Sequence, residues 1–150
     1  MATLHKELVI AAPRELVWGA LRDVGALHTR LVPGFVVDTH MENADVRVVT
    51  FGNGMVLREP ILSVDDLHYR IAWAAVGGPM THYNSSIEVY DEPDGSRVVW
   101  VTDFLPNELA STLAEMQDDA LVTMKNTLEA AAALRTIAPW SFEISFPVRR

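Results

Sequence analysis

Three residues in this chain of 150 are candidates for moving a proton inside a pocket: Glu59, Tyr83 and Asp103. Two carboxylates enclosed in a low-dielectric pocket acquire raised pKa values, which suits general acid–base work. A tyrosine adds an apolar ring with a hydroxyl handle, able to wall a pocket or to donate a proton. A structural reading stands beside the catalytic one. Glu59 follows Arg58, an arginine–glutamate couple can be paired across strands, and ion pairs perturb pKa values without any catalysis. Other chemistries find less support. His5, His28, His40, His68 and His82 show no HExxH or other ligand spacing, so no metal site is expected. Ser85-Ser86 lacks the flanking glycines of a nucleophile elbow. Gly52-Asn53-Gly54 lacks the remaining glycine and the helix of a nucleotide loop, and reads as a hairpin turn. The absence of cysteine excludes disulfides, thiolate metal sites and a cysteine nucleophile. No cofactor is expected.

The elements that must position these groups follow from hydrophobic period. Thr3 to Ile10 reads as a strand, ended by Ala12-Pro13, where proline suits the first turn of a helix. Arg14 to Leu21 gathers Leu16, Val17, Ala20 and Leu21 near one face. Asp23 would cap a second short helix through Ala26 and Leu27 as far as Arg30, closed by Pro33-Gly34. Six strands follow: 35–41, 46–51, 55–63, 67–75, 81–90 and 97–104. Turn residues separate them, so they pair as consecutive antiparallel hairpins. From Asn107 to Leu134 the period returns to that of a helix, with Leu109, Leu113, Met116, Ala120, Met124, Ala131 and Leu134 on one face. Strands followed by a helix that must bury a stripe imply an α+β domain, a curved seven-stranded antiparallel sheet against one long helix. After Pro139 the pattern alternates: Trp140, Phe142, Ile144 and Phe146. It predicts an extra strand or an arm on a second subunit, making residues 139–150 an extension of a domain over 1–138 and a homodimer one expected assembly.

Composition narrows the partners. A net charge of −8 disfavours nucleic acid, whose phosphates need a basic surface, and anionic membranes. No stretch approaches the roughly 20 apolar residues of a membrane span, so no membrane insertion is expected. The first residues lack a signal-peptide pattern, and a cytoplasmic location is the expectation.

Strand alternation assigns faces. Leu67, Tyr69, Ile71 and Trp73 share the more apolar face of their strand, as do Met55, Leu57, Glu59 and Ile61, and Tyr83, Ser85, Ile87 and Val89. Strand 97–104 is ambiguous. Val99, Val101 and Asp103 form one face; Val98, Trp100, Thr102 and Phe104 form the other, which burial of Trp100 favours.

The ordered set IAAPRELVWGALRDVGAL (10–27), VRVVTFGNGMVLREPILSVDD (46–66), HYRIAWAAVGGPMTHYNSSIEV (68–89) and GSRVVWVTDFLP (95–106) resembles the polyketide cyclase/dehydrase branch of the START-like (SRPBCC) superfamily. That resemblance implies a helix-grip fold, in which the sheet wraps the long helix around an apolar cavity that takes hydrophobic small molecules, lipids among them. Some members catalyse cyclisation or dehydration there. Similarity to plant hormone receptors, which carry a carboxylate near the position of Asp103, favours the Val101/Asp103 face as the inner one, and His28 would lie near the entrance. HTRLVPGFV lacks the tryptophan usual after the second helix. The expected cavity, of roughly 300 Å³ or more, is then lined by Leu57, Glu59, Tyr69, Ile71, Trp73, Tyr83, Ser85, Ile87, Val101, Asp103, Leu113, Met116 and Ala120. The first expected function is binding of a small hydrophobic or aromatic molecule. An alternative is a cyclase or dehydratase using Glu59 or Asp103 with Tyr83. A third is a protein–protein interaction domain using the aromatic tail.

Overall fold

Alternation makes the first strand. In β1 (Ala2–Ile10) the even-numbered side chains turn inward and the odd-numbered ones face water. The computed structural model describes residues 1–136 in full and the backbone of the last helix as far as Val148. Over the expected extension 139–150 the backbone as far as Val148 continues the last helix instead of forming a strand, while its side chains, and with them any arm on a second subunit, lie outside the described residues. Six further strands follow: β2 (Val36–Asn43), β3 (Val46–Phe51), β4 (Val56–Asp65), β5 (Arg70–Ala74), β6 (His82–Glu92) and β7 (Gly95–Leu105). They form one seven-stranded sheet in the order β1-β7-β6-β5-β4-β3-β2, every pair antiparallel. Short turns make the meander from β2 to β7. Only β1 is remote in sequence from its partner, and it closes on β7 with Ala2 opposite Phe104 and Ile10 opposite Ser96. Irregular registers between β2 and β3 and between β4 and β5 bend the sheet, as bulges do.

Helix α1 (Arg14–Arg22) starts just after Pro13, whose carbonyl accepts from the Leu16 and Val17 amides. Its buried face is Val17, Trp18, Ala20 and Leu21. The expected second helix is a five-residue π-helical turn, Leu27–Leu31. Asp23 does not cap it. That residue ends α1, and its carboxylate accepts a 2.9 Å bond from Arg30 Nη1.

The strand expected from Leu67 begins only at Arg70. The Asp65 carboxylate takes the amide hydrogens of Leu67 and His68, both at 3.1 Å, and Tyr69 adopts a left-handed φ of 53°. Asx-type bonding of this kind holds a turn against continuation of the ladder. Leu67, expected inside, consequently stands 82% exposed.

After a short 3-10 turn (Asn107–Leu109), helix α2 (Ala110–Val148) crosses the concave face of the sheet. It buries Leu113, Gln117, Ala120, Met124 and Leu128, steps of three or four that keep one face inward, with Leu121 widening the stripe. Leu134, assigned to the same stripe, is exposed because the sheet no longer faces that turn of the helix.

The hairpin at Gly95 is packed against the end of β1. A Cβ at this position would overlap the Ile10 carbonyl oxygen and stand 3.1 Å from Ala11 Cα, and backbone cannot swing aside as a side chain does. Gly95→Ala is expected to cost about 1–3 kcal/mol, the usual range for overpacking. Urea unfolding of the two proteins measures it, and an unchanged midpoint would contradict the close approach.

Candidate functional site

Between sheet and α2 lies a cavity of about 100 Å³. The sheet contributes Arg47, Leu57, Glu59, Ile71, Trp73, Tyr83, Ile87 and Trp100. Helix α2 contributes Leu113, Met116, Gln117, Ala120 and Met124. Leu21, Leu27, Leu31, Val32 and Val36 close the end beneath α1 and the π-helical turn. Phe35, Phe51, Met55 and Met80 complete the lining and are half-exposed, which marks the side nearer solvent. Phe35 and Phe51 meet edge to face there, 5.7 Å apart and at 86°. The volume is smaller than the roughly 300 Å³ expected of a drug-sized site. It lies nearer the scale of an apolar cavity of about 150 Å³ that takes benzene. The reason is bulk. Trp73 and Trp100 project from neighbouring parts of the sheet, with ring centroids 6.2 Å apart, and four methionines fill much of the rest.

Of the residues assigned to the cavity from sequence, Leu57, Glu59, Ile71, Trp73, Tyr83, Ile87, Leu113, Met116 and Ala120 line it. Tyr69, Ser85, Val101 and Asp103 do not. Tyr69 leaves with its turn. Its ring lies under the Arg14 guanidinium, 3.9 Å from the centroid, and beside Trp18. Ser85 is buried one layer behind the wall. The face assigned to β7 is corrected: Ser96, Val98, Trp100, Thr102 and Phe104 point inward. Burial of a tryptophan and a phenylalanine outweighs placing one carboxylate inside. Asp103 sits opposite Thr3 of β1 and accepts a 2.6 Å bond from its hydroxyl on the outer surface. Asp103→Asn is therefore expected to shift stability by no more than about 0.5 kcal/mol and to leave ligand affinity unchanged. Parallel melting and binding titrations would reveal otherwise. His28 is half-buried, has no hydrogen-bond partner for Nδ1 among the described residues, and does not line the cavity.

Two polar systems meet the apolar lining. In the first, Glu59 and Arg47 face each other across β3 and β4. Arg47 Nε donates to Glu59 Oε1 at 2.8 Å, and its Nη1 donates to the Val24 carbonyl at 3.3 Å. Both side chains are under a tenth exposed. Arg58, the neighbour in sequence, points outward and pairs with Glu42 instead. In the second, Trp100 Nε1 donates to Ser85 Oγ at 2.7 Å, Ser85 and Thr102 hydroxyls lie 2.6 Å apart, and Gln117 Nε2 donates to Thr102 Oγ1 at 2.9 Å. Sequence reasoning passed over Arg47 and Gln117, and weighed Trp100 only on the face of β7 that it did not choose. Arg47 shares a strand face with Val49 and Phe51, and a lone charge on an apolar face was its signal. Gln117 lies four residues after Leu113 and three before Ala120, a buried register of α2.

With this geometry in hand, the sequence pattern of the family described as polyketide cyclase/dehydrase and lipid transport matches residues 1–133. The chain belongs to that family. No curated protein matches it. Among solved structures, protein XoxI from Bacillus cereus is 20% identical, with 85% of this chain and 96% of that one covered and a TM-score of 0.76. A START superfamily protein from Mycobacterium smegmatis is 13% identical over 87% of this chain and 97% of the other, TM-score 0.66. A norcoclaurine synthase point mutant from Thalictrum flavum, solved with a transition-state analogue, is 19% identical over 90% and 96%, TM-score 0.66. At these identities the likeness establishes the helix-grip fold and not a particular activity.

Within this family member two groups of the cavity, Glu59 and Tyr83, are shifted. Burial pushes the Glu59 carboxyl above the usual carboxylate range, against the attraction and hydrogen bond of Arg47. Burial also pushes the Tyr83 hydroxyl up; Ser85, Gln117 and Thr102 oppose the rise and the charge of Glu59 adds to it. Tyr83 is half-buried by area because its ring faces the cavity, while its hydroxyl end lies deep beside those polar groups. Among the described residues no group of three or more His, Asp and Glu side chains could hold a metal ion, and no helix is long and apolar enough to cross a membrane.

Proposed function

We propose that this protein binds a small, neutral hydrophobic or aromatic molecule in the cavity between sheet and α2. The observation that carries the reading is the cavity itself: an apolar chamber in the core, with its polar groups gathered in two places. Such a distribution orients a ligand while apolar contact supplies most of the affinity. Four cavity methionines, Met55, Met80, Met116 and Met124, support it further, since thioether side chains re-pack around varied shapes. Native mass spectrometry of the purified protein, with ligand-shift melting against one-ring aromatics, tests it. A retained or added apolar molecule and a raised melting temperature are expected; neither appearing with any compound would overturn the reading.

One observation favours an enzymatic second reading. Glu59, with its raised pKa, and Tyr83 line the same cavity. A cyclase or dehydratase needs an acid and a second polar group within reach of one substrate. Against it, Glu59 Oε1 is already held by Arg47. Tyr83→Phe separates the readings. It is expected to weaken a hydroxyl-bearing ligand by several-fold, about the value of one hydrogen bond, with the fold intact. An enzyme using Tyr83 as proton donor would instead lose turnover by roughly 100-fold or more.

A further inference from the structure

Gln117 is 3% exposed, lines the cavity, and its Oε1 has no hydrogen-bond partner among the described residues. A buried amide oxygen left unpaired is costly, so the pattern of hydrogens around it defines what fits. The indole N–H of Trp100 can only donate, and Ser85 Oγ receives it. Ser85 donates in turn to the Val101 carbonyl at 3.4 Å. The Ser85 and Thr102 hydroxyls lie 2.6 Å apart, where either can donate, and Thr102 Oγ1 receives Gln117 Nε2. One Gln117 Nε2 hydrogen is engaged by Thr102 and the second is not, and the Tyr83 hydroxyl lies close by. The acceptor this chain leaves unsatisfied is Gln117 Oε1.

We propose that the cavity selects a neutral one-ring ligand whose polar group donates a hydrogen bond to Gln117 Oε1, a phenol or aromatic alcohol in preference to an ether, ketone or carboxylate. The proposal rests on the binding reading above and adds the ligand's chemistry. Size limits the ligand to about one ring, given a cavity of about 100 Å³. Flat partners are favoured by Trp73 and Trp100, which tilt at 46° to one another on the wall. A carboxylate is disfavoured because the cation on the wall, Arg47, is already engaged by Glu59 and the Val24 carbonyl. An ether or ketone brings only lone pairs to an oxygen that needs a hydrogen.

Calorimetric or ligand-shift titration with toluene, p-cresol and 4-methylanisole tests this. The wild-type protein is expected to bind p-cresol about 3- to 10-fold more tightly than 4-methylanisole, the value of one buried hydrogen bond. Gln117→Met keeps the bulk and removes the acceptor, and the preference should vanish while toluene still binds. Equal or tighter binding of 4-methylanisole by the wild-type protein, or an unchanged preference in Gln117→Met, would overturn the inference alone. The wild-type comparison decides even if the variant does not fold. Failure of all three compounds to bind would overturn the binding reading and the inference with it.

Discussion

Glu59→Ala is expected to cost about 3–5 kcal/mol of stability, because removing one member of a buried pair strands the other's charge in a dry interior. Arg47 and Glu59 are 3% and 7% exposed, and Arg47 keeps only the 3.3 Å bond to the Val24 carbonyl once the carboxylate is gone. The pair itself contributes far less than that figure. Desolvating two charges nearly cancels their attraction, so the double replacement Arg47→Met with Glu59→Leu is expected to be close to neutral, or stabilising by a few kcal/mol. Urea unfolding of the two single variants and the double variant measures both effects. A double variant that loses the sum of the two singles would rule out this account. The pair also sets a pH dependence. Glu59 carries its proton to higher pH in the folded chain than in the unfolded one, where its value is near 4.5. In that window the folded state binds more protons. This group's contribution to stability is therefore fully present below about 4.5 and declines as pH rises through the raised value. Glu59→Gln should abolish that decline.

The second large effect concerns the cavity wall. Ala120 is 2% exposed and faces the chamber from the first third of α2. Ala120→Leu places a branched side chain into a space of about 100 Å³. Binding of one-ring aromatics should fall by roughly 100-fold or more, the loss of most of the apolar contact available to such a ligand. Stability should hold or rise, by at most about 2 kcal/mol at roughly 24 cal/mol per Å³ of cavity filled. Melting with and without ligand reads both quantities together. A variant that binds as the wild type does would show that the ligand sits elsewhere.

Much of this arrangement is legible in the sequence. Period-two patterning and turn residues marked all seven strands, and the stripe on α2 marked its buried face. Where apolar and polar residues alternate unambiguously, as in β4 and β6, the inward side chains Leu57, Glu59, Tyr83 and Ile87 followed. The failures share a cause. In β7 both faces carry apolar residues, so alternation left the choice open. The tight seating of Trp100 against Ser85 and Trp73 decided it. Tyr69 and Leu67 were misplaced because the Asp65 side chain, rather than hydrophobic period, ends the preceding strand. Arg47 and Gln117 were passed over because polar residues at buried registers are recognisable only by the partner each one meets. The partner of Glu59 sits twelve residues back on the facing strand, which sequence proximity to Arg58 obscured.

The claim that a small apolar molecule occupies the space between sheet and helix can be read from methyl resonances. The chain has six methionines. Met55, Met80, Met116 and Met124 line the cavity, whereas Met1 and Met41 lie outside it and are exposed. In a protein labelled at the methionine methyl carbons and titrated with p-cresol, the four cavity resonances should shift together and saturate, with Met1 and Met41 unmoved. Shifts confined to Met1 and Met41, or no saturable shift at all, would contradict binding in this cavity.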